Sequence, residues 1–345
     1  MITLACPKYP VSNSTEEFFS SDNFSLPIYR IGNSARKNWS KEILRLIDSE
    51  LGAEELIKSA GNIGENYLVP EIKNVLRHSS IVLMKGLPLC SEDFGRKKIR
   101  NKQSLIEGFS HDDLIVLSAV KALRLEPFSY EEQKNGVLVQ DIFPVKGFED
   151  SNSNAGTGDF GFHTDDAILH RDFRTLFIAL LCINNQAQAT TYYAPLDSIR
   201  RFIDPYYFNI LQQPRFRVLT PESFSYFGGK RIQSEPRSII TKYQHRYEIA
   251  LATYNVEPIP NDDEARKALQ ALQLALKPPI TIPITLNPGD FLLFSNVHGL
   301  HARGQVKGER FLKRVYARHS LSRLQTALGA SPSDRVFHSQ KLILL

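Results

Sequence analysis

Three cysteines in 345 residues, Cys6, Cys90 and Cys182, are too few and too scattered for a disulfide framework or a thiolate zinc site. No stretch approaches the ~18 uninterrupted apolar residues that a membrane-crossing helix needs. The opening MITLACPKYPVSNSTEEFFS carries one lysine and lacks the apolar core of a secretory signal. Lys and Arg outnumber Asp and Glu by only 42 to 37, and the surplus is spread out, so no basic tract could follow a phosphate backbone. Internal repeats, low-complexity segments and a Pro/Gly/Ser-rich linker are missing as well. These absences predict a soluble, cytoplasmic protein with neither nucleic-acid nor membrane partners. An apolar fraction of 42% and a charged fraction of 23% suit an ordinary globular chain.

Texture changes along the chain. Residues 41 to 77 predict helix, with Ile43, Leu44, Ile47, Leu51, Leu56 and Ile57 mostly three or four apart. SSIVLMKGLPL (79 to 89), a β-branched run closed by Gly86 and Pro88, predicts a buried strand. HDDLIVLSAVKAL (111 to 123) predicts helix again, with Asp112 and Asp113 at its positive end. From 136 onward strand-like runs dominate: GVLVQDIFPV, TLFIALLCI, TTYYA, RFRVLT, RSIITKY, YEIALATYNV, ITIPITL, DFLLFSNV and RVYARHSL. One clear helix, DDEARKALQALQLAL (262 to 276), interrupts them. Many short strands without alternating helices predict a mainly β sandwich or barrel with flanking helices. With no linker in the sequence, the expectation is a single domain.

The segment FGFHTDDAILH (160 to 170) places two histidines and two aspartates among apolar and small residues. On a strand, alternate residues share a face, so His163 and Asp165 point together while Asp166 points away as a structural acceptor. An imidazole and a carboxylate on one face suit a divalent metal, and a third ligand must come from elsewhere. NPGDFLLFSNVHGLHARG offers His298 and His301 at the end of a buried strand. Two imidazoles and one carboxylate form the facial triad of non-haem iron(II) oxygenases, which leaves positions open for co-substrate and dioxygen. RFLKRVYAR adds Arg310, Arg314 and Arg318 at even steps on one strand face. Buried guanidinium groups are costly unless they meet an anion, and they grip carboxylates bidentately.

Together, GFHTDDAILHRDFRTLFIALLCI, TTYYAPLDSI and GDFLLFSNVHGLHARG with RFLKRVYAR resemble the clavaminate synthase-like, taurine-dioxygenase-related iron(II)/2-oxoglutarate oxygenases. Within that group the resemblance is nearest to hydroxylases of free amino acids, such as the arginine hydroxylase of viomycin biosynthesis. It spans residues 80 to 320. It implies a double-stranded β-helix, a cupin-like jelly roll, over 79–320. A helical part (1–78) would pack on this core, with a lid at about 220–248 and a tail at 321–345. Of the ligands, it implies His163, Asp165 and, counting forward from Asn296, His301 rather than His298. Arg310 matches the arginine that binds the distal carboxylate of 2-oxoglutarate. Nine residues separate it from His301, fewer than in the arginine hydroxylase, so Arg314 stays open for that role.

Otherwise Arg314 matches an arginine that meets the acidic group of the substrate. Thr191, with Thr190 as alternative, matches a co-substrate contact, and Gln140 a substrate contact. The implied reaction consumes 2-oxoglutarate and O2 at Fe(II), hydroxylates an unactivated C–H bond of a small substrate and releases succinate and carbon dioxide. Asp165 argues against halogenation, since halogenating relatives carry a small residue there. The implied substrate is a free amino acid or derivative. YQHRY (243 to 247) stands where the arginine hydroxylase has acidic lid residues, which favours a polar or acidic side chain over a cationic one. A carrier-bound substrate in specialised metabolism, a zinc-dependent hydrolase or isomerase, and a non-catalytic jelly-roll protein stay open as alternatives. The intact triad argues against the last, and the arginines against zinc chemistry.

Overall fold

The computed structural model describes residues 26–90, 108–151, 153–220, 232–277 and 280–343. Strand β1 (Ile28–Arg30) precedes helices α1 (Asn33–Ile47), α2 (Ala53–Tyr67) and the short α3 (Pro70–Asn74). Then come β2 (Ile81–Lys85), α4 (His111–Ala122), β3 (Glu126–Tyr130), β4 (Gln140–Ile142), β5 (Phe160–His163), β6 (Phe177–Asn185) and β7 (Thr190–Pro195). Two short helices, α5 (Leu196–Phe202) and α6 (Pro205–Ile210), lead to β8 (Phe216–Val218), the hairpin β9 (Ile240–Tyr243) and β10 (Arg246–Ile249), and β11 (Val256–Pro258). After α7 (Asp263–Ala275) follow β12 (Ile282–Thr285), β13 (Phe291–Ser295), β14 (Gly299–Arg303) and β15 (Arg310–Arg318). Helix α8 (Ser322–Leu328), β16 (Val336–Phe337) and α9 (Ser339–Ile343) complete the described chain.

The strands form two principal sheets. The larger runs β1-β2-β13-β6-β15-β3-β16, with β4 also paired to β15; the smaller runs β12-β7-β14-β5 and is antiparallel throughout. Alternation sorts the larger sheet's residues between two cores. Phe177, Ala179 and Leu181 of β6, with Phe291, Leu293, Val315 and Ala317, pack on the N-terminal helices. Ile178, Leu180, Cys182, Leu292, Phe294, Leu312 and Tyr316 pack toward Tyr193 and Ile284 of the smaller sheet. Both faces are buried, so FIALLCI and FLLF read as continuous apolar runs rather than alternating ones. On the smaller sheet's outer face, Ala194 and Leu300 meet α5, α6 and α7. A register shift leaves Ile183 of β6 as the extra residue. Strand β15 thus alternates without a break, and Arg310, Leu312, Arg314 and Tyr316 all face the space between the sheets.

The predicted helical region from 41 to 77 consists of three helices and begins earlier, at Asn33. The polar first turn NSARK carries no apolar periodicity to announce it. Helix α4 begins with a reciprocal Ser110–Asp113 capping box and is buried along nearly its whole length. It lies against Gly61 and Gly64 of α2, where a Cβ on Gly64 would fall 2.4 Å from the Ser118 carbonyl oxygen. Backbone cannot yield as a side-chain tip can. Gly64→Ala is expected to lower stability by ~1–3 kcal/mol, read as a fall in the urea unfolding midpoint.

Candidate metal centre and adjoining cavities

Pairing of β5 with β14 sets His163 directly opposite His301, and the two rings lie 4.1 Å apart between centroids. His163 Nδ1 lies 2.7 Å from the Gly161 carbonyl and donates to it, which leaves the Nε2 lone pair free. Asp165 Oδ1 lies 3.3 Å from His163 Nε2 and 3.7 Å from His301 Nε2. Adjacent ligand atoms around an ion with bonds of ~2.1 Å would be ~3 Å apart, so this donor set fits a divalent cation. Among the described residues, the His301 Nδ1 has no hydrogen-bond partner.

Strand alternation is not what places Asp165. Strand β5 ends at His163, and Asp165 sits in the turn that follows, with Asp166 left-handed at φ +57°. Asn296 holds that turn. Its Oδ1 accepts from the Asp165 amide at 2.8 Å, and its Nδ2 lies 2.9 Å from each of the Asp165 and Thr175 carbonyls, to which it donates. Asn296 is fully buried, so Asn296→Ala would orphan three backbone groups. A loss of ~2–4 kcal/mol in denaturant unfolding is expected, with weaker iron(II) binding in calorimetry.

Asp165 Oδ2 accepts from Arg314 Nη1 at 2.9 Å and from the Tyr316 hydroxyl at 2.5 Å. These donors orient the carboxylate and leave Oδ1 toward the imidazoles, as outer partners of metal ligands do. Burial alone would raise the Asp165 carboxyl, but the Arg314 guanidinium and the two imidazoles hold it well below the usual range. Burial and the proximity of His163 push His301 far down, which keeps it in the neutral, ligating form. Asp166 accepts from Gln133 at 2.7 Å and from Thr175 at 2.5 Å, as a structural acceptor should. Burial and the charge of Asp165 raise its carboxyl to about 7.

His298 lies in the turn before β14 and faces elsewhere, with Nδ1 3.0 Å from Ser295 Oγ; burial lowers it to about 4. His170 is exposed and caps a short 3-10 turn. Arg318 donates to the Arg174 and Asp172 carbonyls. Arg314 is committed within the site, to Asp165 and, through Nη2 at 2.5 Å, to Gln140 Oε1. Arg310 differs. It is 6% exposed, its guanidinium makes no hydrogen bond or ion pair among the described residues, and burial with the nearby Arg303 charge lowers it to about 10.

A small cavity between the sheets is lined by His163, His301, Thr191, Arg310 and Arg314. Thr190, by contrast, bonds Thr285 on a partly exposed surface. A second cavity of about 280 Å³ shares His163 and Arg314 with the first and is also lined by Asp165, Asp166, Gln133, Lys134 and Tyr316 among others. Gln140 does not line it and instead braces Arg314. None of the described residues in the 220–248 segment lines it either. The stretch YQHRY forms the turn and flank of the β9–β10 hairpin, and Glu248 is locked to Arg171 at 2.7 and 2.8 Å. Residues 221–231 of the expected lid lie outside the described residues. Sequence reading missed Gln133, Lys134 and Tyr316, and took Asn296 only as a counting anchor; nothing local marks any of them as near a metal.

No family model matches the chain. It is 22% identical over 317 residues to enduracididine beta-hydroxylase of Streptomyces hygroscopicus, covering 84% of this chain and 90% of that protein. A solved structure of asparagine oxygenase with Fe(II), 2S,3S-3-hydroxyasparagine and succinate is similar at a TM-score of 0.77 and 22% identity, over 90% of this chain and 99% of that one. The non-heme iron oxygenase OrfP with Fe and alpha-ketoglutaric acid is similar at a TM-score of 0.73 and 20% identity, over 90% and 100%. The chain thus has the fold of non-heme iron oxygenases. Its relatives are hydroxylases and oxygenases of the kind that its sequence motifs resemble.

Proposed function

We infer that the protein is an iron(II)- and 2-oxoglutarate-dependent dioxygenase that hydroxylates an unactivated C–H bond of a free amino acid or derivative. Succinate and carbon dioxide are the co-products. One observation carries the reading: three ligand-type side chains converge where two cavities meet, one holding an unpartnered arginine and the other open to a small molecule. The two facing sheets then correspond to a double-stranded β-helix, with the N-terminal helices part of the same oxygenase domain.

In this reading His163, Asp165 and His301 hold the iron. When bound, iron(II) would activate dioxygen, the oxidant, with 2-oxoglutarate giving two of the electrons as it loses carbon dioxide and the substrate's C–H bond giving the other two. Arg310 binds the far carboxylate of 2-oxoglutarate, because it is the buried guanidinium of this cavity that has no partner among the described residues, and Thr191 lies along the same wall. Arg314 meets the substrate's acidic group while it orients Asp165, and Gln140 acts by bracing Arg314. The second cavity, about 280 Å³, lies at the small end of the range of ligand pockets and has room for a single amino acid. The protein's contribution is position: the carbon held nearest the iron is the one that reacts.

Succinate release from 2-oxoglutarate with iron(II), screened against free amino acids, is expected to rise with one of them and to vanish with a chelator. If none of them stimulates release, the free-amino-acid reading fails.

A further inference from the structure

We propose that Lys134 recognises an anionic side chain, so that the substrate is an acidic amino acid held between two cations, Arg314 and Lys134. The proposal rests on the dioxygenase reading above and names the substrate class of that site.

Lys134 lines the open cavity on a short segment with unusual backbone. Lys134 has φ +51° and Asn135 φ +58°, two consecutive left-handed residues that are not glycine. Each such residue costs ~1–3 kcal/mol of strain, and such strain persists where the surroundings hold a side chain in place. The lysine is half-buried. Among the described residues its ammonium makes no hydrogen bond or ion pair, and its ring contact is to Phe143, 5.7 Å from the centroid. Asp141, whose charge reaches it, is itself bonded to Lys313 at 2.8 Å. Burial and then the Arg314 charge lower the lysine's pKa, and an entering anion would offset both.

The acids of the cavity point the same way. Asp165 and Asp166 are the carboxylates among its described lining residues, and neither is available to a cationic side chain. Asp165 Oδ2 is taken by Arg314 and Tyr316, and Oδ1 faces the imidazoles. Both oxygens of Asp166 accept bonds from the protein. Arg314 Nη1 gives one N–H to Asp165 and keeps its second for the substrate's α-carboxylate, and Lys134 is then the cation left for a second anion. Ser153, Asn154 and Asn255 give the same cavity a polar lining.

The test is oxygen-free calorimetry on the full chain with iron(II). Titration with 2-oxoglutarate comes first, then with L-aspartate, L-glutamate, L-asparagine, L-glutamine and L-arginine. Aspartate or glutamate is expected to bind at least tenfold tighter than its amide and than arginine. Lys134→Met should erase that preference and leave the amide's Kd within twofold, while Lys134→Arg should keep it. Tighter or equal binding of an amide or arginine, a preference that survives Lys134→Met, or no binding by any amino acid overturns the proposal. Absence of 2-oxoglutarate binding overturns the dioxygenase reading and the proposal with it, so the two failures are told apart in the first titration.

Discussion

Alanine at His301 is expected to abolish both iron(II) binding and turnover, whereas alanine at His298 is expected to spare both. Loss of a mere outer partner of a metal ligand costs ~10–100-fold in affinity or activity, so loss of one of three ligands should exceed 100-fold. The control is informative because the two histidines are close in sequence and differ in surroundings. His301 sits opposite His163 across a strand pair, with Nε2 3.7 Å from Asp165 Oδ1. His298 spends its Nδ1 on Ser295 in the preceding turn. Calorimetric iron titration of both variants decides the matter. Normal iron affinity in His301→Ala, or its loss in His298→Ala alone, would overturn the ligand assignment.

Arg310→Met is expected to act with opposite signs on stability and on co-substrate binding. A buried guanidinium without partners is a standing cost, and exchange for an apolar side chain of similar length removes it. The melting temperature without 2-oxoglutarate should therefore rise, by the equivalent of ~1–4 kcal/mol. The KM for 2-oxoglutarate should rise ~10²–10⁴-fold, since a bound carboxylate would be left buried with no counter-charge at a cost of ~3–5 kcal/mol. Wild type should gain thermal stability from 2-oxoglutarate with iron(II), and the variant should gain little. Should Arg310→Met leave KM unchanged while Arg314→Met raises it, the anchor is Arg314.

Chemical identity was readable along the chain wherever local pattern carries it. The His163-x-Asp165 pair, the Asn296-to-His301 step and the even spacing of Arg310, Arg314 and Arg318 are one-dimensional features. So are the continuous apolar runs of β6 and β13, which announce strands buried on both faces. Other elements were hidden for local reasons. Pro127 disguises β3, and α5 and α6 are too short to show a helical period.

What only the tertiary structure decided is which of these groups meet and which are left over. Antiparallel pairing of β5 with β14, elements far apart in sequence, sets the two histidines face to face. Asn296, not strand alternation, holds Asp165 in its turn. Arg310 and Arg314 look alike in RFLKRVYAR, and the partners supplied by other strands and loops separate them: Arg314 bonds Asp165 and Gln140, while Arg310 has no partner among the described residues. A side chain's type is local, but a charge's free energy depends on what is buried beside it, and that is set by contacts between distant parts of the chain.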